Sequence, residues 1–506
     1  MARLAAELDR AVAGMAPRVP LKQAAPVSVR VVADFVAQGR EAGEIGEAVR
    51  GRDADLLLVY NSNDGPAYRY ALAGVLRDRA GLDGLPPALA RGAALWLSRD
   101  WYGKPYREWL PLLVAARVLP EAEEILAAQE PADFSSLLET PAIAAVIDRL
   151  PGTTLAEKLS RPPDAGRIAA ILAALRASTP GPARSKAAVA PRRGFLKGVS
   201  LAMQNSLEGG YHAPALAGRL DLLAGLGVTS VSLMPFAFQP GPDRPELRFL
   251  NRGARSETDI GLIHAARLAR ARGFRVLYKP HIWVSHASWP GEIAMKSEAD
   301  WARWWRAYRR YALHHAFLAR WAGADVFCAG VELSKTIGRD AEWRDLIASI
   351  RLFFPGPVTY ASNWYQDLES VRFWDRLDYI GVDAYFPLAP SAEARPGDLK
   401  RGAEEIARRL RDASRRFGRP VLLTEVGFAA RRGAWVEPHV EGGDYSEDDQ
   451  ALAYRALFAA LGRPSWLAGT FLWKVFSAPG SDDGPRPDFR FLGRKAEGAV
   501  RNYYGF

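Results

Sequence analysis

Eight strand-like runs alternating with helical patterns fill the chain from Gly194 to Phe506 and constrain its fold more tightly than any other feature. The runs begin near Phe195, Val228, Phe274, Asp325, Pro357, Asp378, Pro420 and Ala468. Helical spacing is expected over 213–226, 258–272, 298–322, 340–353, 367–376, 398–416, 447–461 and 493–503. Strands alternating with helices over about 310 residues predict a (β/α)8 barrel. Such a barrel presents its chemistry at the C-terminal ends of its strands. Polar and aromatic residues collect at those ends: Gln239, Lys279, His281, Glu332, Asn363, Trp364, Asp383, Tyr385, Glu425 and Trp473.

Two of the runs carry the sharpest signal. Ala324–Leu333 and Pro420–Phe428 are apolar without polar alternation, as strands buried on both faces are. Each contains a single glutamate near its end, Glu332 and Glu425, at the fourth and seventh strands. A carboxylate buried there costs several kcal/mol, about 2–7 for a polar group and more for a charge, unless it opens into a site. Paired carboxyls are what glycoside cleavage requires: one protonated to donate to the leaving oxygen, the other ionised to attack the anomeric carbon. Tyr385 is placed to hydrogen-bond the ionised member, and Trp473 to floor a sugar ring. Asn363 and Trp364 are expected to line sugar subsites.

The rest of the chain, 1–176, reads as an α+β accessory domain, joined through a Pro/Ala/Ser-rich linker at 177–193 to the barrel at 194–506. Strands are expected at Pro26–Val32 and Ala54–Tyr60. Helices follow to about Leu150, broken at Gly84-Leu85-Pro86-Pro87 and at Pro120. All seven histidines and the only cysteine, Cys328, lie beyond residue 193, which excludes a His- or Cys-based zinc site from this part. One cysteine also excludes an intramolecular disulfide. Near the start, Glu7, Asp9 and Arg10 interrupt what a signal peptide would need as an apolar core, and no stretch reaches the length of a membrane span. The expectation is a cytoplasmic protein, or a periplasmic or secreted one whose export signal has been removed. The net charge is +10, but the basic residues are spread over helices without basic–aromatic interleaving, so no nucleic-acid partner is expected.

From Lys197 to Tyr504 the sequence resembles glycoside hydrolase family 113. The motifs are Thr258-Asp259, Lys279-Pro280-His281, the Trp289-Pro290-Gly291-Glu292-Ile293 loop, Trp301, Glu332-Leu333, the run from Thr359 to Asn363, the run from Phe373 to Tyr385, and Thr424-Glu425-Val426-Gly427. The resemblance implies a retaining β-mannanase-like hydrolase with no cofactor and no metal. It implies Glu332 as acid/base, Glu425 as nucleophile, and carboxyls about 5–5.5 Å apart. Lys279, His281 and Trp289 match positions that contact the sugar or order the site. Val331 stands where the family has a threonine, and the loop after the first strand lacks the family's tryptophan. With Arg244, Arg248, Arg252 and Arg255 in the loop after the second strand, these departures leave two alternatives open. One is a hydrolase of an acidic or N-acetylated bacterial surface glycan, including peptidoglycan; the other is a catalytically weak carbohydrate-binding scaffold.

The accessory domain carries a fainter resemblance, to the helical half of a gluzincin metallopeptidase. Tyr70 and Gly74 stand where that family has its two histidines, Ala71 where it has the general-base glutamate, and Arg91 where it has the third ligand. The resemblance therefore implies a domain without metal.

Overall fold

In the computed structural model the described residues are 2–19, 26–59, 68–127, 137–182, 194–249, 252–285, 288–480 and 484–505. The chain divides into two compact units, Met1–Arg184 with Arg252–Ala254, and Ser185–Asn251 with Arg255–Phe506. The first division falls within the stretch read as a linker, of which 183–193 lie outside the described residues.

The first unit is mostly helical. Val29–Val32 pairs in parallel with Leu56–Val59, which also pairs antiparallel with Ala48–Val49, giving a small mixed sheet. Helices Tyr68–Arg79, Pro87–Ser98 and Thr140–Asp148 pack side by side. The last two are buried almost all round, because Ala and Leu dominate Pro87–Ser98 and Ala, Ile and Val dominate Thr140–Asp148, and Gly92 removes bulk between them. A Cβ on Gly92 would lie 2.4 Å from Ile143 Cγ2, so the two helices approach through that glycine. Arg91 is buried with its guanidinium 4.0 Å from Glu139, and the Tyr70 hydroxyl donates to the Arg91 carbonyl. Among the described residues no group of three or more His, Cys, Asp or Glu is placed to hold a metal.

The second unit is a closed parallel barrel of eight strands. In chain order they are β1 (Leu196–Ala202), β2 (Ser230–Leu233), β3 (Arg275–Tyr278), β4 (Val326–Val331), β5 (Val358–Asn363), β6 (Ile380–Asp383), β7 (Val421–Val426) and β8 (Leu467–Phe476). Each pairs with its sequence neighbour, and β8 closes on β1. β4, β5 and β7 are buried along their whole length; β4 is apolar throughout, and in β5 the Thr359 and Ser362 hydroxyls are satisfied by donating to the carbonyls of Tyr379 and Gly381. Leu196, Leu277, Val326, Cys328, Val331, Leu422 and Phe471 pack into one core cluster. The ladder loses register at Cys328/Val331, Val382/Asp383 and Leu423/Val426, near the strand ends that carry the polar residues.

Outer helices complete the barrel. The longest, Glu298–Ala322, is capped by Ser297, whose side chain accepts from Asp300 N, and it ends at Gly323 with φ +78°. The other helices agree with the sequence reading to within a few residues, with one exception. No α-helix forms over 367–376. Val371 N donates to Asp367 O at 3.0 Å, but the turn is not propagated, and only a short 3-10 helix, Trp374–Arg376, follows. The Asp367 carboxylate is instead drawn inward, accepting from Ser334 Oγ and Asn363 N. A second departure lies after β2 and β3, where Pro235 and Pro280 interrupt the barrel ladder because proline has no N–H to donate. Both chains then continue as a parallel two-stranded ribbon, Phe236–Gln239 beside His281–Val284. No helix of the described residues is long and apolar enough to cross a membrane.

Replacing Gly92 with leucine should therefore destabilise the first unit by about 1–3 kcal/mol through overpacking. A lower denaturant midpoint, partly restored by a simultaneous Ile143→Ala change, is the expected measurement.

Candidate active site

The polar cluster is built from strand ends that meet at one mouth of the barrel. Lys279 follows β3 and is fully buried. Its Nζ donates to Asp383 Oδ1 and Oδ2, at 2.9 and 3.1 Å, and to Glu425 Oε1 at 2.5 Å. Asp383 closes β6 and also accepts from Thr424 Oγ1 at 2.7 Å. Tyr385, two residues beyond β6, donates its hydroxyl to Glu425 Oε2 at 2.6 Å. Both oxygens of Glu425 are thus held by donors, one an ammonium and one a phenol.

Burial alone would pull the Lys279 ammonium down. The Asp383 and Glu425 carboxylates outweigh it and hold lysine above its usual range. Burial, reinforced by Glu425, pushes Asp383 upward, and the same two causes raise Tyr385.

Glu332 sits just past β4 in the left-handed region, with φ +51°. A non-glycine residue there stores about 1–3 kcal/mol of strain, and such residues concentrate at functional sites. Flanking bonds hold it: Glu332 N donates to Ala361 O, and Leu333 N to the Tyr360 hydroxyl. Its carboxyl accepts from Asn363 Nδ2 and Trp289 Nε1, each at 2.8 Å. Asn363 Oδ1 accepts from Tyr365 N, which fixes the amide so that its nitrogen faces Glu332. Burial raises the Glu332 pKa to about 7, with the Glu425 charge adding to it against the two hydrogen bonds. A carboxyl poised there exchanges a proton near neutrality, beside another carboxylate held by an ammonium.

Other expected residues fall around this core. The ring of His281 lies with Nε2 3.9 Å from Glu425 Oε1, and Nε2 makes no hydrogen bond. Burial and the Lys279 charge push its pKa down, so the imidazole is neutral. Trp473 tilts against it, with ring centroids 6.5 Å apart, and packs with Trp364 on the cluster of Tyr385, Ala429 and Phe489. Trp289 depends on its neighbour, since a Cβ on Gly291 would lie 2.2 Å from the indole. Glu292 of the same loop pairs with Lys335, just beyond Glu332.

Gln239 is not brought to the carboxylates. It lies on the ribbon, buried, donating to Gly241 O and accepting from Trp304 Nε1. Of the loop arginines, Arg244 pairs with Glu246 and Arg252 with Glu44, while Arg248 is exposed. Val331 faces the apolar core. Sequence reasoning assigned no role to Thr424, Tyr360 or Asp367. Thr424 and Tyr360 stood inside motifs without a function of their own, and Asp367 opened an expected helix, until the fold supplied Asp383, Leu333 and Asn363 as partners.

The profile of Glycoside Hydrolase Family 113 matches residues 203–481. Among solved structures, a family 113 β-mannanase from Alicyclobacillus acidocaldarius in complex with ManMIm is 26% identical with a TM-score of 0.55, over 62% of this chain and 97% of that one. A family 113 β-1,4-mannanase is 24% identical with a TM-score of 0.54, over 62% of this chain and 99% of that one. No curated protein matches the chain.

A Trp289→Phe variant loses a hydrogen bond that favours the Glu332 carboxylate. The Glu332 titration should therefore move to higher pH, as read by carboxyl-labelled NMR. Gly291→Ala, which displaces the indole, should move it the same way.

Proposed function

The chain belongs to glycoside hydrolase family 113 and is an O-glycosyl hydrolase, and from that premise we propose that it is a retaining, β-mannanase-like enzyme with Glu332 as general acid/base and Glu425 as nucleophile. The observation that carries the assignment is the unequal surroundings of the two carboxyls. Glu332 rests between neutral donors with its pKa raised to about 7, and Glu425 between Lys279 and Tyr385.

In the first step a Glu425 oxygen bonds to the anomeric carbon as the glycosidic C–O bond breaks, and Glu332 gives its proton to the departing oxygen. In the second, Glu332, now a carboxylate, takes a proton from water as that water displaces Glu425 from the sugar. Lys279 and Tyr385 position the nucleophile, and Asp383 with Thr424 positions Lys279. Trp289 and Asn363 orient the acid. His281 Nε2 is available to a sugar hydroxyl, with Trp473 and Trp364 as apolar surfaces for pyranose rings.

A β-mannan substrate is supported by the solved mannanase relatives. One feature favours a second reading. Val331 is buried among apolar residues where the family has a polar side chain, which suits a sugar with a different 2-substituent, such as an N-acetylated or acidic glycan. Incubation with β-mannan, gluco- and galactomannan, chitin oligomers, peptidoglycan and an acidic polysaccharide, read by mass spectrometry, separates the two. Mannan oligosaccharides released by wild type and not by Glu425→Gln are expected. Cleavage confined to an amino-sugar or acidic polymer would transfer the substrate to the second reading. Turnover of none would favour a binding scaffold.

The roles are tested separately. Glu332→Gln should lower kcat on natural linkages by about 10²–10⁴-fold. With an activated aryl glycoside, azide should rescue Glu332→Ala to a β-glycosyl azide and Glu425→Ala to the α-anomer, and the opposite pairing would exchange the roles. Because the protonated acid is needed, wild-type rate should fall as pH rises through about 7.

A further inference from the structure

The ribbon after β2 and β3 alternates strictly. Ala237, Gln239, Ile282 and Val284 face inward and are buried, while Phe236, Phe238, His281 and Trp283 face outward. In register His281 lies beside Phe236, and Trp283 beside Phe238. Phe238 is 42% exposed and Trp283 56%. The inner end of this face belongs to the site already described, since His281 adjoins Glu425 and Trp473. From there Phe236 packs on His281 at 5.1 Å and on Trp283 at 6.4 Å between ring centroids. One continuous row of rings thus leads from the glutamates to the surface. Arg248 stands directly opposite Phe238 in an antiparallel bridge, which puts its exposed side chain on the same face.

We propose that this face is an extended sugar-binding platform, holding pyranose units of a β-linked polysaccharide beyond the one at Glu332 and Glu425. The proposal rests on the glycosidase reading of that centre and adds residues which neither family motif nor strand-end position singles out. A pyranose offers a C–H face that packs on an aromatic ring and a rim of hydroxyls, and the platform supplies both partners, rings from Trp283 and Phe238 and donors from Arg248. One two-residue step along a strand covers about 6.6 Å, the scale of a sugar unit, so successive rings present successive surfaces. Continuity with the catalytic centre selects the occupant, because a polymer seated across the glutamates has to pass over or beside this row.

The consequence is dependence on chain length. For the full-length protein, kcat/KM on β-1,4-mannohexaose and on an aryl β-mannoside is measured for wild type, Trp283→Ala, Phe238→Ala and the double variant. The hexaose-to-monosaccharide ratio should fall about tenfold in the double variant, carried by KM rather than kcat. Calorimetry in the Glu425→Gln background should show a matching loss of mannohexaose affinity. An unaltered ratio and affinity, with the fold intact by circular dichroism, would overturn the platform while leaving the mannanase reading standing. Wild type cleaving and binding neither substrate would overturn both.

Discussion

A buried ammonium holds the mouth of this barrel together. Lys279 has no exposed surface, and an ammonium removed from water is tolerable only when its charge and its donors are fully met. Three carboxylate oxygens from two strands meet them, Asp383 on β6 and Glu425 on β7, while the lysine directly follows β3. The network therefore spans the barrel, and it exists only when the sheet has closed in the right register. The local shift at Val382/Asp383 belongs to the same construction, since it adjusts which β6 residue stands opposite Glu425.

From that network follows the inequality of the two glutamates. Glu425 shares its surroundings with a cation and a phenol. Glu332 faces an indole and an amide, which orient it without supplying charge, and it feels the Glu425 carboxylate across the site. The strained backbone at Glu332 is maintained from outside, by Ala361 on β5 and by the Tyr360 hydroxyl. Asn363, on the same strand, is anchored in turn by Asp367. This explains why the connection after β5 forgoes a helix. A helix over 367–376 would have left the Asp367 side chain to cap or face solvent, and the position of Asn363 would have lost its brace.

The barrel was legible because strand-like runs alternate with helical spacing eight times, and Glu332 and Glu425 stand out because the fourth and seventh runs are otherwise nearly all apolar. Tyr385 was legible as a partner of the ionised glutamate, and it does donate to Glu425, whereas Lys279 and Asp383 were legible as polar residues near strand ends without their partners. That Lys279 would divide its donors between Asp383 and Glu425 depends on side chains meeting across the barrel, which strand position alone does not encode. Gln239 shows the limit most directly. It occupies the same kind of position in sequence, yet Pro235 shifts it onto the ribbon, where Trp304 and Gly241 take both ends of its amide. The motif at Tyr70–Arg91 shows the converse: the two helices do pack as neighbours, but the bonds between them run from the Tyr70 hydroxyl and the Arg77 guanidinium to the carbonyls of Arg91 and Ala90, and among the described residues no set of ligand side chains is assembled there.

The same two prolines make the ribbon and the site parts of one device. Pro280 ends the β3 ladder directly after Lys279, which leaves the lysine at the barrel mouth and restarts the chain at His281 as a surface strand. Alternation then assigns His281 and Trp283 to one face, so a single backbone segment delivers the buried cation, the neutral imidazole beside Glu425 and the exposed indole in succession. On the proposed reading, a sugar polymer would meet those chemistries in that order, charge control where the bond breaks, a hydrogen-bonding ring next to it, and an apolar surface farther out. A break in one strand arranges all three along a line.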